Sequence, residues 1–310
     1  LKKQLDSSRW PSGYGNDHFR IKGVKLYMDG SPYTGGAAFA EPYLNTDVTL
    51  TRMELRPNHH GKVNYSEESL LQTLTKYHNN GYQIAIHAQG EIAIQMILNA
   101  FTEILEKYPR PDHRHRLEHN ALITNNQIIQ AQKLGLTLSF FMDHVYYYGE
   151  QLPQIVGPDR AARFMPLGTA FAAGHRASIH TDNPATPVGP FRVISTAVTR
   201  KTKNKGNILG PAERVTVNDA LKAVTINAAW QLFEDNQRGS ITIGKAADFV
   251  LLSHNPLRVQ IENLKDISVL CTWIDGNKVN TSSWTWVNFK LLLLILIDYL
   301  RTAITSWLNS

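Results

Sequence analysis

Cysteine is nearly absent from these 310 residues, with Cys271 standing alone. An intrachain disulfide and a cysteine-based zinc cluster are thereby excluded, and a reducing, cytoplasmic setting is the expectation. Any metal site has to be assembled from His, Asp, Glu or Lys. Long apolar runs are missing as well. The stretch "LLLLILI" at 291–297 lies between Lys290 and Asp298 and falls well short of the roughly 20 residues that span a bilayer. It reads as a short, sticky helix, with Trp284, Trp286 and Trp307 as the residues that would seat it in a peripheral membrane anchor. The opening "LKKQLDSSRW" lacks the charged-then-apolar pattern of a signal peptide. The expectation is a chain that begins mid-protein, which leaves a signal peptide ahead of Leu1 open.

Charge of one sign is in modest excess. A formal net charge of +6 and an isoelectric point of about 9.3 raise nucleic acid or an acidic membrane surface as partners. The distribution argues against both. Lys and Arg are spread along the chain except in "RKTKNK" at 200–205, which has no interleaved aromatics and reads as a solvated loop. With 43% hydrophobic residues the chain can bury a large core, and disorder is excluded for most of it.

What is present is an alternation of strand and helix patterns. "SEESLLQTLTKYHNNG" at 66–81 has Ser66 as cap, acids in the first turn, apolar Leu70, Leu71, Leu74 and Tyr77, and a terminating Gly81. "YQIAIHAQG" follows as a strand ending in His87, and "EIAIQMILNAFTEILEKY" carries helical periodicity through Ile94, Ile97, Phe101 and Leu105. A short strand around "HRLEH", a helix from Thr124 to about Lys133, a strand "LTLSFF" from 136, a helix over 158–174 closed by Gly174 and a strand "RASIHTD" ending at Asp182 continue the series. Repeated units of this kind predict parallel strands in an α/β fold, as a barrel or an open sheet. A capped helix over 216–233 leads into β runs over 239–253 and 269–279, the second with an Asp275-Gly276 turn. Three regions are expected: 1–237, a small β portion over 238–280, and an atypical tail over 281–310.

His87, His119 and Asp182 each fall at the C-terminal end of a predicted strand, and Lys25 ends the apolar step of "IKGVKLYMDG" with Asp29 and Gly30 opening the next loop. In β/α barrels that rim carries the active site. Each residue also has a plain reading. His87 and His119 fit satisfied polar residues at strand ends, Asp182 fits an Asx turn before proline, and Lys25 fits a surface lysine. Together they suit a borderline or hard divalent ion, which accepts imidazole and carboxylate and keeps a position open for water. Lysine contributes only when neutral or carbamylated. His144 and Tyr146, Tyr147 and Tyr148, just past another strand, are candidates for substrate or oxyanion contacts, or simply for a pocket wall.

The blocks "GVKLYMDGS", "HAQGEIAIQMILNAF", "RHRLEHNAL", "HVYYYGE", "GPDRAARFMPLGTAFAAG", "SIHTDNPATPVGP", "ERVTVNDALKAVTINAAWQLF" and "GSITIGKAADFVLLSHNPL" resemble, in order over about 21–276, the amidohydrolase superfamily, in the YtcJ-like branch that includes N-substituted formamide deformylase. The resemblance implies a partial (β/α)8 TIM-like barrel, roughly strands 4 to 8, with a small C-terminal β-sandwich portion. It implies a hydrolase of carbon-nitrogen bonds other than peptide bonds in small amides, acting through water activated by a divalent metal, with zinc the expected ion. By position, Lys25 would be a carbamylated bridging lysine, His87 and His119 ligands of one metal, and Asp182 both ligand and the acid that takes the water's proton and passes it to the leaving amine.

The family's His-x-His pair at the end of the first barrel strand has no counterpart here. "HRH" at 113–115 precedes a later strand and "NHH" at 58–60 lies in a long loop. The expectation is a C-terminal part of a longer enzyme that binds one ion rather than two, with two exposed sheet edges that a homo-oligomer or another partner would cover. A remnant that binds metal or a partner without turnover is the alternative.

Overall fold

In the computed structural model residues 10–16 and 19–279 are described, so the expected tail over 281–310 lies outside them. They form two compact units, residues 10–245 with 254–267, and residues 246–253 with 268–279.

The larger unit is built on a five-stranded parallel sheet whose spatial order is its chain order: β1 (Gly23–Tyr27), β2 (Gln83–Ala88), β3 (Arg116–His119), β4 (Thr137–Phe141) and β5 (Ser178–His180). Helices α1 (Glu67–Asn79), α2 (Glu91–Lys107) and α3 (Asn125–Lys133) make the crossovers that parallel pairing requires. The Ser66 hydroxyl caps α1 by accepting from Ser69 N at 3.3 Å, and Leu70, Leu74 and Tyr77 bury its inner face. Thr124 and Gln127 close a capping box on α3. No side chain of its own caps α2. Its N-cap, Gly90, packs so tightly that a Cβ there would lie 2.0 Å from the Ala38 carbonyl, and its N–H donates to the distant Asp29 carboxylate at 2.8 Å. On the helix side of the sheet Ile84, Ile86, Leu117, Leu138 and Phe140 are fully buried.

Two long helices expected from the sequence are each broken in two. The segment over 158–174 divides into α5 (Pro158–Ala162) and α6 (Leu167–Ala172), which follow α4 (Leu152–Val156). Pro166 removes a helical donor and bars its predecessor from the helical region, and Met165 takes φ 52°. After α7 (Pro190–Thr199), the segment over 216–233 divides into α8 (Val217–Val224) and α9 (Ile226–Gln231) at Thr225, whose hydroxyl donates to the Leu221 carbonyl at 2.6 Å, the acceptor a continuing helix would give to its N–H. The last strand of the sheet is shorter than expected. It stops at His180, and Asp182 stands two residues beyond it with φ 52°.

The smaller unit is an antiparallel sheet of β6 (Phe249–Leu252), β7 (Val269–Ile274) and β8 (Asn277–Lys278). Asp275 and Gly276 turn the last hairpin with φ 49° and 75°, the left-handed pair that a two-residue hairpin turn demands. The β run expected from 239 begins only at Phe249, and residues 239–245 belong to the larger unit.

At the N-terminal edge of β2 and β3 three buried histidines form a closed network. Ile84 N–H donates to His115 Nδ1 at 3.0 Å, so His115 carries its proton on Nε2 and donates to His78 Nδ1 at 2.9 Å. His78 Nε2–H in turn donates to the Tyr108 carbonyl at 2.9 Å. His113 accepts from His115 N–H at 3.0 Å and donates to the Leu134 carbonyl at 2.9 Å. Every ring nitrogen has a partner, and all three rings are held in one neutral tautomer. "HRH" is a structural device.

Candidate metal centre

Strand alternation gives the sheet a polar face. On β1, Val24 is buried on one side while Gly23, Lys25 and Tyr27 stand on the other. Register then sets Tyr27 beside His87, His87 beside Glu118, Glu118 beside Ser139 and Ser139 beside Ser178, with His180 next to Phe141 at the far end. His119, one residue past Glu118, would alternate away. Its φ of 76° departs from strand geometry, and its ring lies 4.4 Å from that of His87 and 5.1 Å from that of His180, centroid to centroid. Asn120, also left-handed at 56°, fixes this turn by donating to the Leu117 and Ser139 carbonyls at 2.9 and 3.1 Å.

One ligand atom each from His119, His180 and Asp182 can be chosen so that all lie within 4.8 Å of one another. Around them, His87 Nε2, His119 Nδ1, His144 Nδ1 and His180 Nε2 are buried with no hydrogen-bond partner. Orphaned buried polar atoms are costly and uncommon, so four on neighbouring imidazoles need an occupant. Lone-pair donors of this kind fit a divalent ion.

The electrostatics keep those donors available. Burial pushes the His87 imidazole down to about 4, with Lys25 adding to the shift and Asp182 and Glu118 opposing it. Burial and then neighbouring His180, His87 and Lys25 hold His119 well below the ordinary range. His144 is held there by burial, His180 and His87. His180 is lowered by burial although Glu118 and Asp182 pull the other way. All four are neutral at pH 7, the form that binds metals. Lys25 retains solvent contact, yet partial burial lowers its pKa, with Glu118 and Asp182 opposing the shift and Arg116 adding to it. Burial raises the Glu118 pKa, but Arg116 at 2.6 Å, His180 and Lys25 outweigh it and keep the carboxylate ionised. Asp29 accepts from Gln89, Gly90 and Ala38 N–H at 2.9, 2.8 and 3.1 Å and lies 3.7 Å from His87 Nε2, and burial still pushes it up to about 7.

The sequence-expected residues are distributed as follows. His119 and Asp182 stand in the three-residue group, and His87 is in ring contact with His119 but outside that group. Lys25 lies in the middle of β1, not at its end, on the same face and within electrostatic reach of His87, His119, His180 and Asp182. His144 is enclosed by aromatic rings, with Phe141 at 4.1 Å and Tyr33 at 5.1 Å. Of Tyr146, Tyr147 and Tyr148, it is Tyr148 that is in ring contact with it, at 5.8 Å. Tyr147 sits against the Arg192 guanidinium at 5.5 Å and the Lys203 ammonium at 4.9 Å, and Tyr146 lines a cleft of about 380 Å³ with Arg192, Lys201 and Lys203. His180 was not among the expected ligands. Its signal was the alternation Ser178, His180 within "SIHTD", which puts both on the polar face.

The chain belongs to the Amidohydrolase family, whose profile matches residues 2–280. It is 31% identical over 262 residues to Protein LONG AFTER FAR-RED 3 of Arabidopsis thaliana, covering 84% of this chain and 43% of that one. Identity is 28% to Putative amidohydrolase YtcJ of Bacillus subtilis, over 84% of this chain and 47% of the relative. To N-substituted formamide deformylase of Arthrobacter pascens it is 30%, over 70% and 40%. Among solved structures, an uncharacterized metal-dependent hydrolase from Pyrococcus horikoshii superposes with a TM-score of 0.70 at 23% identity, covering 83% of this chain and 49% of the other, a likeness of fold. The chain thus spans less than half the length of these relatives. No described helix is long and apolar enough to cross a membrane.

Proposed function

We propose that this chain carries part of the active site of a metal-dependent hydrolase that cleaves carbon-nitrogen bonds of small amides, with N-substituted formamides as the first substrates to test. The observation that carries the reading is the convergence of His119, His180 and Asp182, with unpartnered ring nitrogens on both of these histidines and on His87 and His144. On this reading the five sequential parallel strands are part of a β/α barrel wall, and the small antiparallel sheet is part of a β-sandwich.

His119, His180 and Asp182 would hold the ion, with His87 beside them, and zinc suits the nitrogen-rich set. A bound divalent ion supplies Lewis acidity at the carbonyl and lowers the pKa of water. The protein's own residues do the rest. Asp182, exposed at the rim, takes the proton of the attacking water as its oxygen bonds to the formyl carbon. As the carbon-nitrogen bond breaks, Asp182 returns that proton to the leaving nitrogen, giving formate and a free amine. Burial lowers the Lys25 pKa, which favours the neutral amine that a carbamate would form on. His144 and Tyr148 wall the acyl side.

The test is zinc stoichiometry together with formate release from an N-substituted formamide. About one tightly held ion per chain and zinc-dependent formate release are expected, since zinc acts by activating water. Zinc uptake without formate release would favour a binding remnant, and absence of both would overturn the reading.

A further inference from the structure

The strongest polar feature outside the histidine group is a buried ion pair that ties two rim segments together. Asp143, immediately before His144, has a fully buried carboxylate. Arg192 of α7 grips it with Nε on Oδ1 at 2.8 Å and Nη2 on Oδ2 at 2.6 Å. The same guanidinium donates to the Pro187 carbonyl and faces the ring of Tyr147. Thr186, 3% exposed, places its Oγ1 2.7 Å from Asp143 Oδ2 and also against the Thr181 carbonyl, so one hydroxyl proton is shared between them. Thr181 is the residue before Asp182. The loop is closed from the other side by Ala185 N–H donating to the Asp182 carbonyl at 2.7 Å.

We propose that Asp143, Thr186 and Arg192 form a latch that sets where Asp182 stands, with Thr186 its positioning residue. Asp182 has left its strand, adopts a left-handed backbone and is exposed, so nothing in β5 itself fixes the carboxylate. Its loop is closed by the Thr186 hydroxyl on the Thr181 carbonyl, with Asn183 Nδ2 donating to the Thr186 carbonyl at 3.4 Å, and Thr186 is oriented by a carboxylate that Arg192 holds still. The inference rests on the reading of Asp182 as a metal ligand. Partners that orient ligands in this way tune affinity without touching the ion.

Removing one member of a buried ion pair destabilises a fold by itself, so the test is placed on Thr186, where valine keeps the shape. Zinc affinity of the full chain is measured by chelator competition for the wild type, Thr186→Val, Thr186→Ser, Asp182→Asn and the double variant Thr186→Val/Asp182→Asn. Thr186→Val should weaken zinc binding about tenfold, the low end for a lost orienting partner, and Thr186→Ser should restore it. In the Asp182→Asn background Thr186→Val should have no further effect, because residues acting through one another are not additive. In the metal-free chain Thr186→Val should also speed hydrogen exchange at the Ala185 amide. Zinc binding by the wild type with equal effects of Thr186→Val in both backgrounds, or with none, overturns the latch alone. A wild-type chain that takes up no zinc overturns the metal reading and the latch together.

Discussion

Two groups of histidines sit at opposite ends of the same strands, and the same few residues of sequence, "HRHRLEH", feed both. At the N-terminal end His78, His113 and His115 spend every ring nitrogen on the protein. At the C-terminal end His87, His119, His144 and His180 each leave one unspent. Both groups include fully buried rings, His87 and His180 being half-buried, and burial pulls the pKa values of both groups down. What separates the two groups most sharply is hydrogen-bond satisfaction, and on the proposed reading it is this that marks the second group as ligands. On the proposed reading the first group adds to stability, whereas the second gives some of it up in return for binding capacity, the usual trade at functional sites.

The largest expected effect falls on the unsatisfied end. Asp182→Asn keeps the shape of the side chain but removes its ability to accept a proton, and should lower turnover by about 10² to 10⁴. Steady-state kinetics at full zinc loading would check it, and wild-type turnover in that variant would remove Asp182 from the mechanism. Next comes acid. His113 has a folded pKa of about 4 against an ordinary 6.5, so the unfolded chain binds the extra proton between these values and stability falls as pH drops through that window. At about 1.4 kcal/mol per unit the loss attributable to His113 is roughly 3 kcal/mol. Denaturant midpoints from pH 7 to pH 4 would record it, and His113→Gln should flatten the slope.

A pair of ring-conserving substitutions sharpens the contrast directly. His115→Phe strands the Ile84 N–H and His78 Nδ1 and should cost about 2–4 kcal/mol, whereas His119→Phe removes an orphan nitrogen and should leave the metal-free chain within about 1 kcal/mol of wild type. Zinc affinity should move the other way, lost in His119→Phe and kept in His115→Phe. Equal destabilisation by both would erase the distinction. The smallest change expected is Thr124→Ala, which deletes a helix cap away from both groups and should cost about 1 kcal/mol with no effect on zinc.

The sequence makes much of this legible because the relevant physics is local. Ser66 and Thr124 announce their helices through capping, and Asp275-Gly276 announces its turn. His87 and His119 close apolar runs, so their place at strand ends could be read directly. What escaped depended on backbone conformation or on contacts between distant segments. The pattern makes Asp182 a strand terminus because nothing in "SIHTD" signals its left-handed backbone. The pattern places Lys25 at the end of its strand, whereas β1 continues for two residues through Leu26 and Tyr27. His180 escapes the sequence pattern because that pattern carries the strand on to Asp182, whereas β5 ends at His180 itself. The orphan nitrogens have no sequence signature at all, since satisfaction is a property of neighbours brought from residues 29, 87, 119 and 180 at once. Asp29, by contrast, was noticed only as a loop opener. Its three backbone partners lie up to 61 positions away.

The chained histidines at the other end of the sheet also have a direction, and direction has a consequence in time. From Ile84 N–H through His115 and His78 to the Tyr108 carbonyl, every proton points the same way. Turning one ring over would put a C–H where each of its bonded nitrogens now stands and break the hydrogen bonds at both of its ends. No ring can therefore reorient unless the surrounding core opens. Their Nε2-bound hydrogens should accordingly persist as sharp, separate proton resonances in water, exchanging at the pace of local unfolding.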